Sequence, residues 1–134
     1  MIQAGCQITM KKIILVIEDN NTCRKLISCT LQNNGFECLT AENGQCALNI
    51  LQDNYCDLIL TDLRMPVMDG IQFICALRER EALNNQQRIP IIVISAEEGE
   101  MLERALELDI EGYFIKSLPI EMLIPKLKNL LPCR

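Results

Sequence analysis

The sequence predicts an α/β domain built on a doubly wound, five-stranded parallel sheet with five helices. Short apolar runs alternate five times with segments whose apolar residues are three and four positions apart. The first run, 13–17, is apolar throughout, which is typical of a strand covered on both faces. With 134 residues, 49% of them hydrophobic, the chain can bury the core of one domain without disulfides.

Each strand is predicted from an apolar run and each helix from helical spacing. In chain order, the predicted strands are 13–17, 36–40, 58–60, 89–94 and 113–115. The predicted helices are 20–33, 44–52, 71–80, 100–108 and 119–131. Asn34 and Gly35 form a helix-ending signal, and Pro119 suits a first helical turn. Pro125 falls inside the last predicted helix, where it removes a backbone hydrogen bond and is expected to cause a kink.

One domain is assigned to residues 11–131. Residues 1–10 lack the charged start and long apolar core of a signal peptide, so we expect an N-terminal extension there and a C-terminal tail at 132–134. No apolar run is long enough to span a bilayer, which favours a cytoplasmic protein without a membrane partner. Thirteen basic against eighteen acidic residues give a net charge of −5, which disfavours nucleic acid as a partner.

The eight cysteines suggest neither a zinc site nor a disulfide framework. They contain no C-x-x-C pair, and the chain has no histidine, whereas zinc sites combine these residues at short spacings. Without a secretion signal we expect reduced thiols, most of them buried as small hydrophobic side chains.

Polar side chains end four of the five predicted strands. Glu18 and Asp19 follow the first strand, Asp62 follows the third, Ser95 the fourth and Lys116 the fifth. Each residue alone fits an ordinary turn or helix cap. However, ligands of an open parallel sheet bind outside the carboxyl ends of its strands. The five residues together therefore predict a site at that edge.

This set of groups suits phosphoryl transfer to a carboxylate. Three crowded carboxylates need a cation to stay ionised, and oxygen ligands favour Mg²⁺, which also accepts phosphate oxygens. A lysine adds positive charge, and a serine hydroxyl can donate to a further oxygen. A carboxylate can itself be the nucleophile, with catalysis supplied by positioning and charge neutralisation.

The same residues resemble the response-regulator receiver domains of two-component signalling, with chemotaxis regulators among the similar proteins. The resemblance covers 11–131 and rests on an acidic pair, a central aspartate block, a Ser-Ala pair and a Tyr-x-x-Lys pattern. In chain order these are Glu18-Asp19, Asp62-x-x-Met65-Pro66-x-Met68-Asp69-Gly70, Ser95-Ala96 and Tyr113-x-x-Lys116. Such a resemblance implies the flavodoxin-like receiver fold. It also implies a signalling switch rather than a turnover enzyme.

The resemblance implies a phosphoryl group on Asp62. It further implies Mg²⁺ bound by Asp19, Asp62 and the backbone carbonyl of Arg64, with Glu18 acting through water. Since the chain has no histidine, the implied donor is a partner histidine kinase or histidine phosphotransfer protein. The downstream protein target is unknown.

The resemblance also assigns roles around the phosphoryl group. Ser95 and Lys116 would bind its oxygens, and Tyr113 would reorient with Ser95 as the switch. Arg64 and Glu97 would flank the pocket, where they could pair or stay solvated; exposed pairs contribute only about 0–1 kcal/mol.

Two departures from the family pattern concern the backbone. Lys116 precedes Ser117 where relatives carry proline, and we expect a trans peptide because a cis bond without proline costs about 3–4 kcal/mol. The polar stretch LNNQQR lengthens the connection between the third helix and the fourth strand.

Two alternatives stay open. The domain could be an inactive receiver that only binds proteins, although all five residues at the strand ends are present. It could also be a Mg²⁺-dependent phosphohydrolase acting through an aspartyl phosphate. That chemistry usually needs a second acid two residues after the nucleophile, where this chain has Arg64.

Overall fold

The computed structural model describes residues 11–96 and 99–132, and within them five parallel strands form one sheet. The strands are β1 (Ile13–Ile17), β2 (Glu37–Ala41), β3 (Leu58–Thr61), β4 (Ile91–Ser95) and β5 (Gly112–Ile115). Their order across the sheet is β2-β1-β3-β4-β5, and every neighbouring pair is parallel. The first strand, β1, therefore lies inside the sheet, and later strands are added on both sides of it. This doubly wound order confirms the predicted fold class.

Helices cover both faces of this sheet. They are α1 (Asn21–Asn33), α2 (Gly44–Asp53), α3 (Gly70–Leu83), α4 (Glu100–Leu106) and α5 (Ile124–Leu130), with a 3₁₀ helix at Ile120–Leu123. In β1, Leu15 and Ile17 pack on the side of α2, α3 and α4, while Ile14 and Val16 pack on the side of α1 and α5. Burial on both faces explains why the strands read as continuous apolar runs.

The last predicted helix is wrong in one respect. Pro125 causes no kink, because the segment divides into the 3₁₀ helix and α5, and Pro125 lies in the first turn of α5. The amide of a first-turn residue has no partner within its helix, so proline costs no hydrogen bond there. The Lys116–Ser117 peptide is trans, as expected.

The expectation that most cysteines are buried is also wrong. Of the six in the described ranges, all free thiols, Cys56 is buried, Cys29 and Cys75 are exposed, and the others are half-buried. Cys29 and Cys75 lie on the solvent sides of α1 and α3, between positions that face the core. Cys6 and Cys133 lie outside the described residues.

No helix in the described ranges is long and apolar enough to cross a membrane. The domain boundaries at 10/11 and 131/132 stay predictions. Residues 1–10 lie outside the described residues, as do 133 and 134 at the other end.

Val67 has a backbone conformation that a β-branched residue rarely adopts. It lies in the loop between β3 and α3, with φ of 70° and its side chain 80% exposed. Met68 N donates to Pro66 O at 2.7 Å, so the turn around Val67 closes over three residues. An exposed side chain gains little from packing, and the left-handed conformation costs an L-residue about 1–2 kcal/mol.

We therefore expect Val67→Gly to raise the free energy of unfolding by about 1 kcal/mol, after allowing for the greater freedom of glycine in the unfolded chain. Urea denaturation provides the measurement. Val67→Ala is the matched control, because it keeps a Cβ and should change stability much less. A Val67→Gly protein less stable than wild type would show that the turn is unstrained.

Candidate functional site: an acidic cluster and a lysine at the carboxyl edge of the sheet

Strand register carries the predicted site residues to one edge of the sheet. Ile17 pairs with Thr61, so Glu18 and Asp62 both follow directly after paired residues. Asp62 N donates to Ile17 O at 3.0 Å, which extends the ladder by one step. On the other side, Ser95 is the last residue of β4. Lys116 N donates to Ser95 O at 2.9 Å.

Lys116 lies between two acids of this edge. Its Nζ donates to Asp62 Oδ2 at 2.9 Å and forms an ion pair with Glu18 Oε1. The Lys116 side chain is 21% exposed, against 10% for Asp62 and 2% for Glu18. The lysine therefore neutralises part of the negative charge inside a largely desolvated site, where such contacts are strong.

The pKa shifts of the pair follow from burial and contact. Burial raises the pKa of Glu18 above its ordinary value, and this outweighs the Lys116 hydrogen bond, which lowers the pKa. Burial lowers the pKa of Lys116, but the hydrogen bonds to Glu18 and Asp62 together raise the pKa by more. The net pKa of Lys116 is therefore above its ordinary value. Lys116 is therefore cationic at neutral pH.

Asp62 is fixed by the backbone as well as by the lysine. Leu63 N donates to Asp62 Oδ1 at 2.7 Å, so both carboxylate oxygens accept hydrogen bonds, Oδ1 from this amide and Oδ2 from Lys116. Thr61 Oγ1 donates to Asp62 O at 2.8 Å. A Cβ on Gly70 would lie 2.3 Å from Asp62 O, so only glycine lets α3 begin this close to the site.

Three carboxylates form a group that could hold a cation. Glu18, Asp19 and Asp62 each offer one oxygen, and these oxygens lie within 4.8 Å of one another. Glu18 Oε1 is buried, and the Lys116 ammonium is its one polar contact among the described residues. One lysine against three acids leaves excess negative charge, which fits a hard divalent ion with oxygen ligands.

The other residues predicted for the site differ in how buried they are. Ser95 is 1% exposed at the end of β4, whereas Tyr113 in the edge strand β5 is 41% exposed. Arg64 follows Asp62 by two positions, and its side chain is exposed. Glu97 lies outside the described residues, so the structure says nothing of a pair between Arg64 and Glu97.

Sequence reasoning missed the groups that hold the acids in place. Asn20 N donates to Glu18 Oε2 at 3.1 Å, while the Asn20 side chain caps α1 through Cys23 N. Arg24 Nη1 donates to Glu18 O at 2.7 Å. The N-cap pattern at Asn20 was visible in the sequence, but the backbone donors of Asn20 and Leu63 carry no side-chain signal.

Comparison with known proteins agrees with this geometry. Residues 14–128 match the family model described as the response regulator receiver domain. The chain is 35% identical over 120 residues to the phosphate regulon transcriptional regulatory protein PhoB of Escherichia coli, covering 89% of this chain and 51% of PhoB. It is 35% identical over 127 residues to hybrid signal transduction histidine kinase I of Dictyostelium discoideum, covering 90% of this chain and 7% of the kinase.

Solved structures agree on the fold. The chemotaxis response regulator CheY4 of Vibrio cholerae superposes with a TM-score of 0.79 at 29% identity, covering 91% of this chain and all (100%) of that one. The receiver domain of a histidine kinase from Syntrophus aciditrophicus gives a TM-score of 0.79 at 27% identity, covering 90% of this chain and 89% of that one.

The chain belongs to the response-regulator receiver family of two-component signalling. Receiver domains of this family act as phosphoryl-accepting switches, are phosphorylated by histidine kinases and typically bind Mg²⁺ in an acidic pocket. The chain spans about half the length of PhoB and a small part of the hybrid kinase. The phosphohydrolase and inactive-module alternatives are not favoured.

If the acidic cluster binds Mg²⁺, added MgCl₂ should raise the melting temperature, because a ligand that binds only the folded state stabilises it. Asp19→Asn should remove most of this shift, since it deletes one of three charged ligands. Asp53→Asn at the end of α2 is the matched control and should respond like wild type. An Asp19→Asn protein that responds fully to MgCl₂ would exclude Asp19 as a ligand.

Proposed function

We propose that this protein is a phosphorelay switch that accepts a phosphoryl group on Asp62 from a partner histidine kinase or histidine phosphotransfer protein. The main support is the position of the Asp62 carboxylate at the carboxyl edge of the sheet. One of its oxygens accepts a hydrogen bond from Leu63 N and the other accepts one from Lys116 Nζ. A carboxylate held in this way is oriented for nucleophilic attack.

The reaction exchanges one bond to phosphorus for another. A carboxylate oxygen of Asp62 attacks phosphorus, and the bond from phosphorus to the donor's imidazole nitrogen breaks. We propose that Lys116 moves its contact from the carboxylate to a phosphoryl oxygen, where it offsets the incoming charge. The Ser95 hydroxyl would donate to another of these oxygens. These 134 residues contain no histidine, so the donor imidazole lies outside them.

Magnesium would be held by Asp19, Asp62 and the Arg64 backbone carbonyl, with Glu18 acting through water. When bound, the ion would supply charge neutralisation for the phosphoryl oxygens. The three carboxylates already converge, which supports this ligand set. Glu18 also holds Lys116 in place, so its role is to position the lysine as well as to attract the ion.

We propose Ser95 and Tyr113 as the switch residues. Ser95 is buried beside the site, whereas Tyr113 is 41% exposed on the edge strand, so a shift of Ser95 toward the phosphoryl group could draw the ring inward. The adduct would then be lost slowly by attack of water on phosphorus. This step releases inorganic phosphate and regenerates the Asp62 carboxylate.

Acetyl phosphate with Mg²⁺ should add the mass of one phosphoryl group to the intact protein. Asp62→Asn should abolish the gain, because an amide is a poor nucleophile, and chelation of Mg²⁺ should suppress it in wild type. Asp53→Asn serves as the control and should be labelled normally. Undiminished labelling of Asp62→Asn would refute the site assignment.

The residues flanking the pocket are expected to set the lifetime of the acyl phosphate. If Arg64 and Glu97 pair across the pocket mouth, they crowd the path of the attacking water without adding measurable stability. Arg64→Ala and Glu97→Ala should each shorten the lifetime, and the double variant should resemble either single one. Unchanged lifetimes in both single variants would leave the two residues as ordinary surface charges.

A further inference from the structure

A cavity lies at the opposite end of the sheet from Asp62. It has a volume of about 430 Å³, within the range of roughly 300–1,000 Å³ found for small-ligand clefts. Its walls come from the end of α2, the segment before β3, α3, and the connection from α3 to β4. That connection contains Gln86 and Gln87 of the polar LNNQQR stretch, which the phosphoryl site does not use.

The floor of the cavity is apolar. Leu51, Leu77 and Ile89 line it; Leu77 is 2% exposed, and the other two side chains are half-buried. Tyr55, which is 64% exposed, stands at the rim, and its hydroxyl donates to Asp57 Oδ1 at 2.9 Å. The cavity therefore offers an aliphatic floor and an anchored aromatic ring to an apolar molecule.

Internal hydrogen bonds hold the wall in shape. The buried Glu81 accepts from Ile89 N at 2.8 Å and pairs with Arg78 at 2.8 Å. Gln86 N donates to Glu81 O at 2.8 Å. These bonds fix the long connection against α3, and the Arg78 contact neutralises the acid beneath it. The cavity is therefore largely formed before any ligand arrives.

Arg80 supplies positive charge at the cavity wall. Its Nη1 donates to Leu48 O at 3.0 Å, which fixes the half-buried guanidinium. Within the described part of the chain, its Nε and Nη2 groups have no protein acceptor. Arg80 is also the one basic residue among the described residues that line the cavity. A fixed guanidinium with unused donors beside an apolar floor is complementary to a carboxylate on an apolar body.

We propose that this cavity binds a small amphipathic monocarboxylate, with its apolar part on the floor and its carboxylate on Arg80. A single negative charge fits best, because Asp53 also borders the cavity and would repel a second one. The cavity shares no residue with the Glu18, Asp19 and Asp62 cluster, so binding there needs no group of the phosphoryl site.

Titration of isotope-labelled protein with sodium octanoate, followed by NMR, tests the proposal. We expect saturable shifts at Leu51, Leu77 and Ile89, and the same shifts in an Asp62→Asn background. Octanol and butyrate should each bind more weakly, because one lacks the carboxylate and the other lacks the apolar length. Arg80→Gln should weaken octanoate binding roughly tenfold or more, as expected for loss of a charged hydrogen bond.

Arg104→Gln on the exposed side of α4 is the matched control and should bind like wild type. Arg80→Lys keeps the charge but loses the planar fork, so its affinity should fall between those of wild type and Arg80→Gln. If Arg80→Gln does not fold, the octanoate affinity of Arg80→Lys is compared with that of wild type instead. Absence of saturable shifts, shifts confined to other surfaces, or equal octanoate affinity in wild type and the Arg80 variants would overturn the proposal.

Discussion

The contact between Lys116 and the carboxylates of Glu18 and Asp62 is the constraint on which the rest of this structure depends. Three acids meet at one sheet edge, and without a cation their mutual repulsion would open it. The lysine directly follows β5, which lies two strands away from β3, and so connects the outer part of the sheet to its centre. In the proposed reaction, an incoming phosphoryl group would compete with these carboxylates for the Lys116 ammonium. That competition would couple chemistry at Asp62 to the position of β5.

The surrounding elements serve this contact. The apolar strands deliver their polar end residues in register, and α3 begins at Gly70 because any larger residue would clash with the Asp62 backbone. The loop between β3 and α3 includes Val67, whose backbone φ of 70° lies in the left-handed region. Strain close to a reactive residue is common where a loop must hold one shape. The opposite end of the sheet is stabilised separately by the Arg78–Glu81 pair, which leaves that end able to form a cavity of its own.

Much of the fold and the site could be predicted from the sequence, because both depend on periodic signals. Apolar runs located the strands, and residues such as Asp62 and Lys116 stood at their ends. What could not be predicted depends on context beyond the local sequence. Pro125 lies in the first turn of α5 because a 3₁₀ helix precedes it, and Cys29 is exposed because its position falls on the outer side of α1. The backbone donor at Leu63 and the cavity beside Arg80 arise only when distant segments meet.

The most direct test of the central claim is to locate the phosphoryl group chemically. Borohydride reduces an acyl phosphate, so treatment of protein labelled with acetyl phosphate should convert the modified aspartate to homoserine. Peptide sequencing by mass spectrometry then identifies the position. We expect homoserine at position 62 alone, and only when Mg²⁺ is present during labelling. Modification at Asp19, or a borohydride-resistant phosphoryl group on Ser95, would contradict it.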